Sequence, residues 1–212
     1  MGFLDREYIN IWREAETYLK RGRWFDISHT IIVIDFAKRL CRDLKGDPGV
    51  VIPASILHDV GYSAYSEEPE LELKTTLPEI PPFSREIKEG HLIKGAEFSE
   101  KILRKVGYTY KVQEIVFIVR NHESADGEKP DMKNLNHSIV SDADALARVT
   151  DAAIGYLKKI YKKDEIEIVK GILKHYKKWF ITKRALEIAE EELRKLESYQ
   201  KVAGIWCSRS KE

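Results

Sequence analysis

The chain has 212 residues and a mass of 24.6 kDa. Its 36 Lys and Arg residues against 35 Asp and Glu leave a net charge of +1, without the basic excess of an electrostatic nucleic-acid binder. Hydrophobic residues at 43% suffice for a core, and charged residues at 33% exceed the roughly 25% of an average soluble domain. A single domain over 1–212 is expected at this length.

The longest aliphatic runs, Ile31–Ile34 and Ile115–Val119, fall far short of the roughly 20 apolar residues that span a bilayer. Met1 to Glu7 has no basic stretch leading into an apolar one, so a cytoplasmic protein without a membrane partner is expected. Cys41 and Cys207 lie far apart with no metal-ligand spacing and read as free thiols.

Helical periodicity dominates, and strand patterns are nearly absent, so the fold is expected to be all-α. A first helix is predicted from about Asp5 to Lys20, with Ile9, Trp12, Ala15 and Leu19 on one stripe. A second starts near Ser28 as its cap and carries Ile31, Ile32, Phe36 and Leu40. After the turn Gly46-Asp47-Pro48-Gly49, a buried helix over Val50 to Val60 is expected to end on Gly61 as C-cap. Residues 62–88 hold four of the seven prolines and read as a surface insertion or lid. Helices resume at about Lys88–Val106, Lys111–Asn121 and from His137, with Asp126-Gly127 in a loop. From Asp164 to about Val202 the pattern is one or two amphipathic helices rich in i,i+4 Glu–Lys pairs.

Of six histidines, four sit where chemistry is affordable. His29 opens an apolar helix, and His91 opens another. His122 closes the Ile115–Arg120 helix, and His58 stands with Asp59 at the inner end of a buried one. Asp142 and Asp144 fall inside the apolar segment Ile139–Ala147. A buried carboxylate is costly unless paired or metal-bound, and imidazoles with carboxylates suit Fe, Mn, Ni, Zn, Co or Mg. His137 and His175 read as structural or exposed. The rings of Tyr156, Tyr161, Tyr176, Trp179 and Phe180 read as C-terminal core, with room for one to line a ligand pocket.

The order His29 … His58-Asp59 … Asp144 resembles the HD superfamily of metal-dependent phosphohydrolases, most strongly in Leu57-His58-Asp59-Val60-Gly61. The resemblance covers about residues 26–150. It implies an all-α HD-domain helical bundle with additional C-terminal helices, and metal ligands at His29, His58, Asp59 and Asp144. Asp142 competes with Asp144, which the resemblance favours because the family's aspartate usually follows a small residue, here Ala143. His91-Leu-Ile-Lys94-Gly95-Ala96 and Asn121-His122-Glu123 … Asp126-Gly127 are similar to segments of two-metal branches, including cyclic-dinucleotide phosphodiesterases. In the second segment Asn121 stands where those enzymes have the first histidine, and Glu128-Lys129-Pro130 replaces Gly-Tyr-Pro. One ion is therefore expected rather than two.

The implied activity is hydrolysis of a phosphate ester of a nucleotide or similar small compound by a metal-activated water. Asp59 or Glu123 would orient that water. His91, Lys94, His122 and Arg148 would contact substrate, Lys94 because it lies three residues after His91 on α-helical spacing, with Arg120 a weaker candidate. Were His91 and His122 to hold a second ion, Asp59 could bridge the two. Alternatives are a two-metal cyclic-dinucleotide phosphodiesterase and a catalytically silent nucleotide sensor. The expected partner is a small phosphorylated substrate, with a homodimer compatible and no nucleic acid.

Overall fold

In a computed structural model, the chain is described over residues 4–66, 85–123 and 134–196, together with Tyr199 and Lys201. Nine α-helices and no strand occur among the described residues: α1 Ile9–Leu19, α2 Asp26–Leu44, α3 Pro48–Leu57, α4 Arg85–Lys105, α5 Val112–Asn121, α6 Leu135–Ala147, α7 Asp151–Tyr161, α8 Glu165–His175 and α9 Lys183–Lys195. Short 3-10 turns occupy Arg6–Tyr8, Val60–Tyr65 and Tyr176–Lys178. None of these helices is long and apolar enough to cross a membrane.

Helix α3 is the axis of the bundle, packed against α1, α2, α5 and α6. Every residue from Val50 to Leu57 is buried, as a continuous apolar run with no polar face demands. Asp47 caps its start by accepting from the Gly49 N–H at 3.0 Å, with Pro48 in the first turn. Pro53 inside this helix has no N–H to offer the Gly49 carbonyl four residues back. The Tyr108 hydroxyl donates to that carbonyl instead, at 2.6 Å. Helix α6 lies beside α2 and α3 and is buried from His137 to Ala147. The C-terminal helices are two-faced: α9 buries Ala185, Ile188, Ala189 and Leu193 and ties Arg184 to Asp43 on α2 at 2.9 Å.

Several local expectations change. The inner stripe of the first helix runs through Tyr8, Ile11, Trp12, Ala15 and Leu19, with Ile9 only half-buried. Helix α2 begins at Asp26, not Ser28. Its first turn is fixed by Arg23, whose backbone N–H donates to the Asp26 carboxylate at 2.7 Å, while the Ser28 hydroxyl donates to the Phe25 carbonyl. Gly61 does not cap α3, which ends at Leu57. A Cβ on Gly61 would lie 1.9 Å from the His91 carbonyl oxygen and 2.6 Å from the Gly95 nitrogen. The glycine is therefore the contact at which the 3-10 turn seats against α4. Residues 62–65 belong to that turn and 85–88 to α4; the rest of the expected lid, 67–84, lies outside the described residues, as do Asp126-Gly127 and Cys207. Cys41 is buried and free.

Candidate metal centre

The site forms where the end of α3, the starts of α2 and α4, the end of α5 and the middle of α6 meet. His58 is the first residue past α3, and Asp59 follows with φ −105° and ψ 4°, outside helical geometry. That break frees the aspartate from the roughly 100° separation that helical neighbours would impose. His58 Nδ1 donates to the Ser55 carbonyl at 2.8 Å, and His122 Nδ1 donates to the Val119 carbonyl at 2.9 Å. Each tether fixes the tautomer and leaves Nε2 directed elsewhere, as in histidines that ligate metals.

The Nε2 atoms of His58 and His29 are 3.2 Å apart. Asp59 Oδ2 lies 3.1 Å from the first and 3.4 Å from the second. Asp144 Oδ1 stands 3.1 Å from His29 Nε2 and 4.0 Å from His58 Nε2. His29, His58 and Asp59 place one ligand atom each within 4.8 Å of one another, and so do Asp59, His91 and His122. Asp59 is common to both groups; its Oδ1 faces His122 Nε2 at 3.8 Å. The four residues expected as ligands are thus together, and His91 and His122 complete a second candidate cluster beside them.

Two guanidiniums close the ring of charge. Arg148 donates to Asp144 Oδ2 at 2.6 Å and to Glu123 at 3.2 Å. Arg23 pairs with Asp59 Oδ2 and, at 2.5 Å, with Asp26. Its guanidinium lies over the Tyr62 ring, 3.8 Å from the centroid, and Tyr62 stacks on His91 at 4.1 Å and 8°. Burial opposes charge at every one of these groups, and partners overrule it at most. Asp59 is held well below the usual carboxylate range by Arg23 and His58, and Asp144 likewise by Arg148 and His29. Burial works against the charged His58 ring, yet Asp59 and Asp144 raise it to about 9. At His91 burial wins and lowers the ring to about 4; at Asp26 burial raises the carboxyl to about 6 despite Arg23.

This donor set fits a divalent cation. Asp26, Asp59, Asp144 and Glu123 against Arg23 and Arg148 make 2 − 4 = −2 with the imidazoles neutral, the state that metal binding requires; in metal-free protein the proton on His58 offsets one of these charges. A buried excess of that size calls for a cation. Both ring nitrogens of His91 are buried and without a hydrogen bond, although Nε2 lies 3.3 Å from Glu123. A buried nitrogen left unpaired in such a place is a ligand atom in waiting.

Other candidates separate cleanly. Asp142 accepts from the Ile181 N–H at 2.6 Å and from the Thr182 N–H and hydroxyl at 2.8 and 2.6 Å. It anchors the chain into α9, on the far side of α6 from Asp144. Lys94 does not reach the site. The inner stripe of α4 runs through His91, Leu92, Gly95 and Ser99, and Lys94 lies off it, exposed and bonded to Glu97 at 2.9 Å. His137 is buried and bonded to the Asn121 carbonyl at 2.7 Å. Arg23, Asp26 and Tyr62 were missed from sequence. The only signal was the Arg23/Asp26 spacing ahead of His29, which is common in exposed turns.

Residues 26–149, more than half of the chain, match the family model of the HD domain. The chain belongs to the HD family. Among solved structures it is similar to a predicted HD superfamily hydrolase from an uncultured Thermotogales bacterium (TM-score 0.58, 21% identity, 94% of this chain and 93% of that one). It is also similar to the HD domain of the phosphodiesterase PgpH from L. monocytogenes (TM-score 0.51, 17% identity, 92% of this chain and 98% of that one). At these identities the likeness establishes the HD fold. No curated protein matches the chain by sequence. Arg23 and helices α7 to α9 fall outside the segment that matches the HD model.

Proposed function

We propose that this HD protein is a metal-dependent phosphohydrolase acting on a small phosphorylated compound of nucleotide size or below. The observation that carries the reading is the convergence of His29, His58, Asp59 and Asp144 from α2, the end of α3 and α6. A divalent cation held by these four supplies Lewis acidity toward a phosphoryl oxygen and a water of lowered pKa. Phosphoryl transfer otherwise needs positioning and positive charge more than covalent chemistry. Arg23 and Arg148 both line the cleft, and each guanidinium carries five N–H donors, more than its carboxylate partners consume. They suit the non-bridging oxygens of a phosphate. Glu123, fixed by Arg148 and facing His91, is placed to accept a hydrogen bond from water and orient it.

A second reading is favoured by one observation, the sharing of Asp59 between two ligand groups. A two-metal centre would use His91 and His122 on the far side of Asp59 and would suit a phosphodiester such as a cyclic dinucleotide. A silent nucleotide sensor would retain the ligands without turnover. The test is metal analysis of purified protein, with a panel of phosphate mono- and diesters assayed after loading with Mn, Fe, Ni, Zn, Co or Mg. We expect one or two equivalents of metal and hydrolysis that falls by about a thousandfold or more in Asp59→Asn. Protein that binds no divalent metal, or that hydrolyses no ester when loaded, overturns the reading.

A further inference from the structure

The cleft that exposes the candidate metal centre is lined by two sets of side chains of opposite character, one charged and one apolar. It holds about 870 Å³ of empty space, part of it open to solvent. The charged set is Arg23, His29, Asp59, Lys88, Glu123, Asp144 and Arg148. The apolar wall is Ile32, Ala153, Tyr156, Leu157, Ile172 and Trp179. Apart from Ile32, that second wall comes from α7, α8 and the residue after the last 3-10 turn, outside the segment shared with the HD model.

The apolar wall offers almost nothing to hydrogen-bond. The Tyr156 hydroxyl is taken up by Ser28 Oγ at 2.6 Å, and the Tyr156 ring stacks on Phe25 at 5.6 Å and 23°. Tyr156 therefore presents a ring and not a polar tip. No Asn, Gln, Ser or Thr lines the cleft among the described residues, and His29 is its one histidine there; the Trp179 indole N–H is a donor only. A nucleobase has an edge of alternating donors and acceptors. Burying that edge here would leave its groups unpaired, at a cost that a site built for bases avoids by supplying partners. An alkyl chain or unsubstituted ring loses nothing on entering, and gains for each methylene removed from water.

We infer that the leaving group of the substrate is an apolar alcohol, so that the protein selects phosphate monoesters of alkyl or aryl alcohols over nucleotides. The inference rests on the hydrolase reading for its chemistry, and on the α7–α8 wall for its selectivity. The phosphate sits among the charged side chains, and the hydrocarbon lies along Ile32, Leu157 and Ile172, with the rings of Tyr156 and Trp179 beside it.

The test uses n-alkyl phosphates from methyl to hexyl on metal-loaded protein, because leaving-group basicity is nearly constant from ethyl onward. We expect kcat/KM to rise about two- to fourfold per methylene, and AMP to be turned over no faster than ribose 5-phosphate. A flat series, or a preference for AMP over ribose 5-phosphate of about tenfold or more, overturns the inference and leaves the hydrolase reading standing. Calorimetry with methyl- and hexylphosphonate gives a readout independent of turnover. Ala153→Phe, which adds bulk to the apolar wall, should abolish the preference for hexylphosphonate over methylphosphonate. Should that variant misfold, Trp179→Ala should narrow the hexyl-to-methyl ratio about tenfold instead. A hexyl preference with no turnover by metal-replete protein would sink the hydrolase reading and keep the apolar site. Unchanged hexyl preference in folded Ala153→Phe would sink the site itself.

Discussion

The two sides of α6 solve the same problem in opposite ways. Asp142 and Asp144 sit two residues apart on a helix buried from His137 to Ala147, and each must bring a carboxylate into the interior. On the C-terminal side, Asp142 accepts from two backbone N–H groups and one hydroxyl. On the other side, Asp144 meets an imidazole and a guanidinium, and keeps Oδ1 directed at His29. Anchoring backbone N–H groups makes a carboxylate into structure. Pairing with groups that a cation can replace or share keeps it available for chemistry.

The sharpest way to break the site side is steric. Gly61→Ala puts a methyl group into the backbone of α4 at His91 and Gly95, where no side chain can yield. Overpacking of this kind costs about 3 kcal/mol, and a lowering of Tm by roughly 6–12 °C is expected in thermal unfolding. An unchanged Tm would mean that α4 is not held where the His91 cluster needs it.

Proton competition is the next effect in size. In metal-free protein His58 keeps its proton up to about pH 9, despite burial, because of Asp59 and Asp144. A metal ligand must be neutral, so apparent metal affinity should weaken about tenfold per pH unit below that value. Titration of metal into apo protein between pH 7 and 9 checks the slope. The raised pKa also stabilises the apo fold. That contribution is complete below the unfolded imidazole value of about 6.5 and is lost as pH rises through about 9. The apo protein should therefore melt progressively lower across that window.

The mildest effects compare the aspartates directly. Asp142→Ala leaves the Ile181 and Thr182 N–H groups without their acceptor and should cost about 2 kcal/mol with metal content unchanged. Asp144→Ala should abolish tight metal binding as well as destabilise the apo protein, since Arg148 and His29 lose the carboxylate that pairs with them. Melting curves and metal analysis on the same two variants decide it; identical profiles would erase the contrast.

Much of this was legible in the sequence, and the parts that were not share a cause. The helices were readable because their faces repeat, and His58-Asp59 stood out because two polar groups closed an apolar run. Apolar patterning alone could not separate Asp144 from Asp142, since both lie in equally apolar surroundings and Thr182 is forty residues on; the small residues beside Asp144 and the family resemblance favoured it. Lys94 misled because three-residue spacing shares a helix face only loosely: His91 points inward and Lys94 turns out to water. Gly61 read as a cap because local sequence does not reveal that α4 passes within contact distance. Arg23 and Tyr62 were invisible because a buried arginine is recognised by its partners, here Asp59 from a distant helix end.

The junction at Arg148–Thr150 separates the stretch that supplies the charged side chains of the cleft from the one that supplies most of its hydrocarbon wall. Selection can therefore act on the two independently. Drift at Ala153, Leu157 or Ile172 reshapes the cleft without touching an imidazole or a carboxylate, so descendants of such a chain can change its shape while inheriting the same candidate metal ligands.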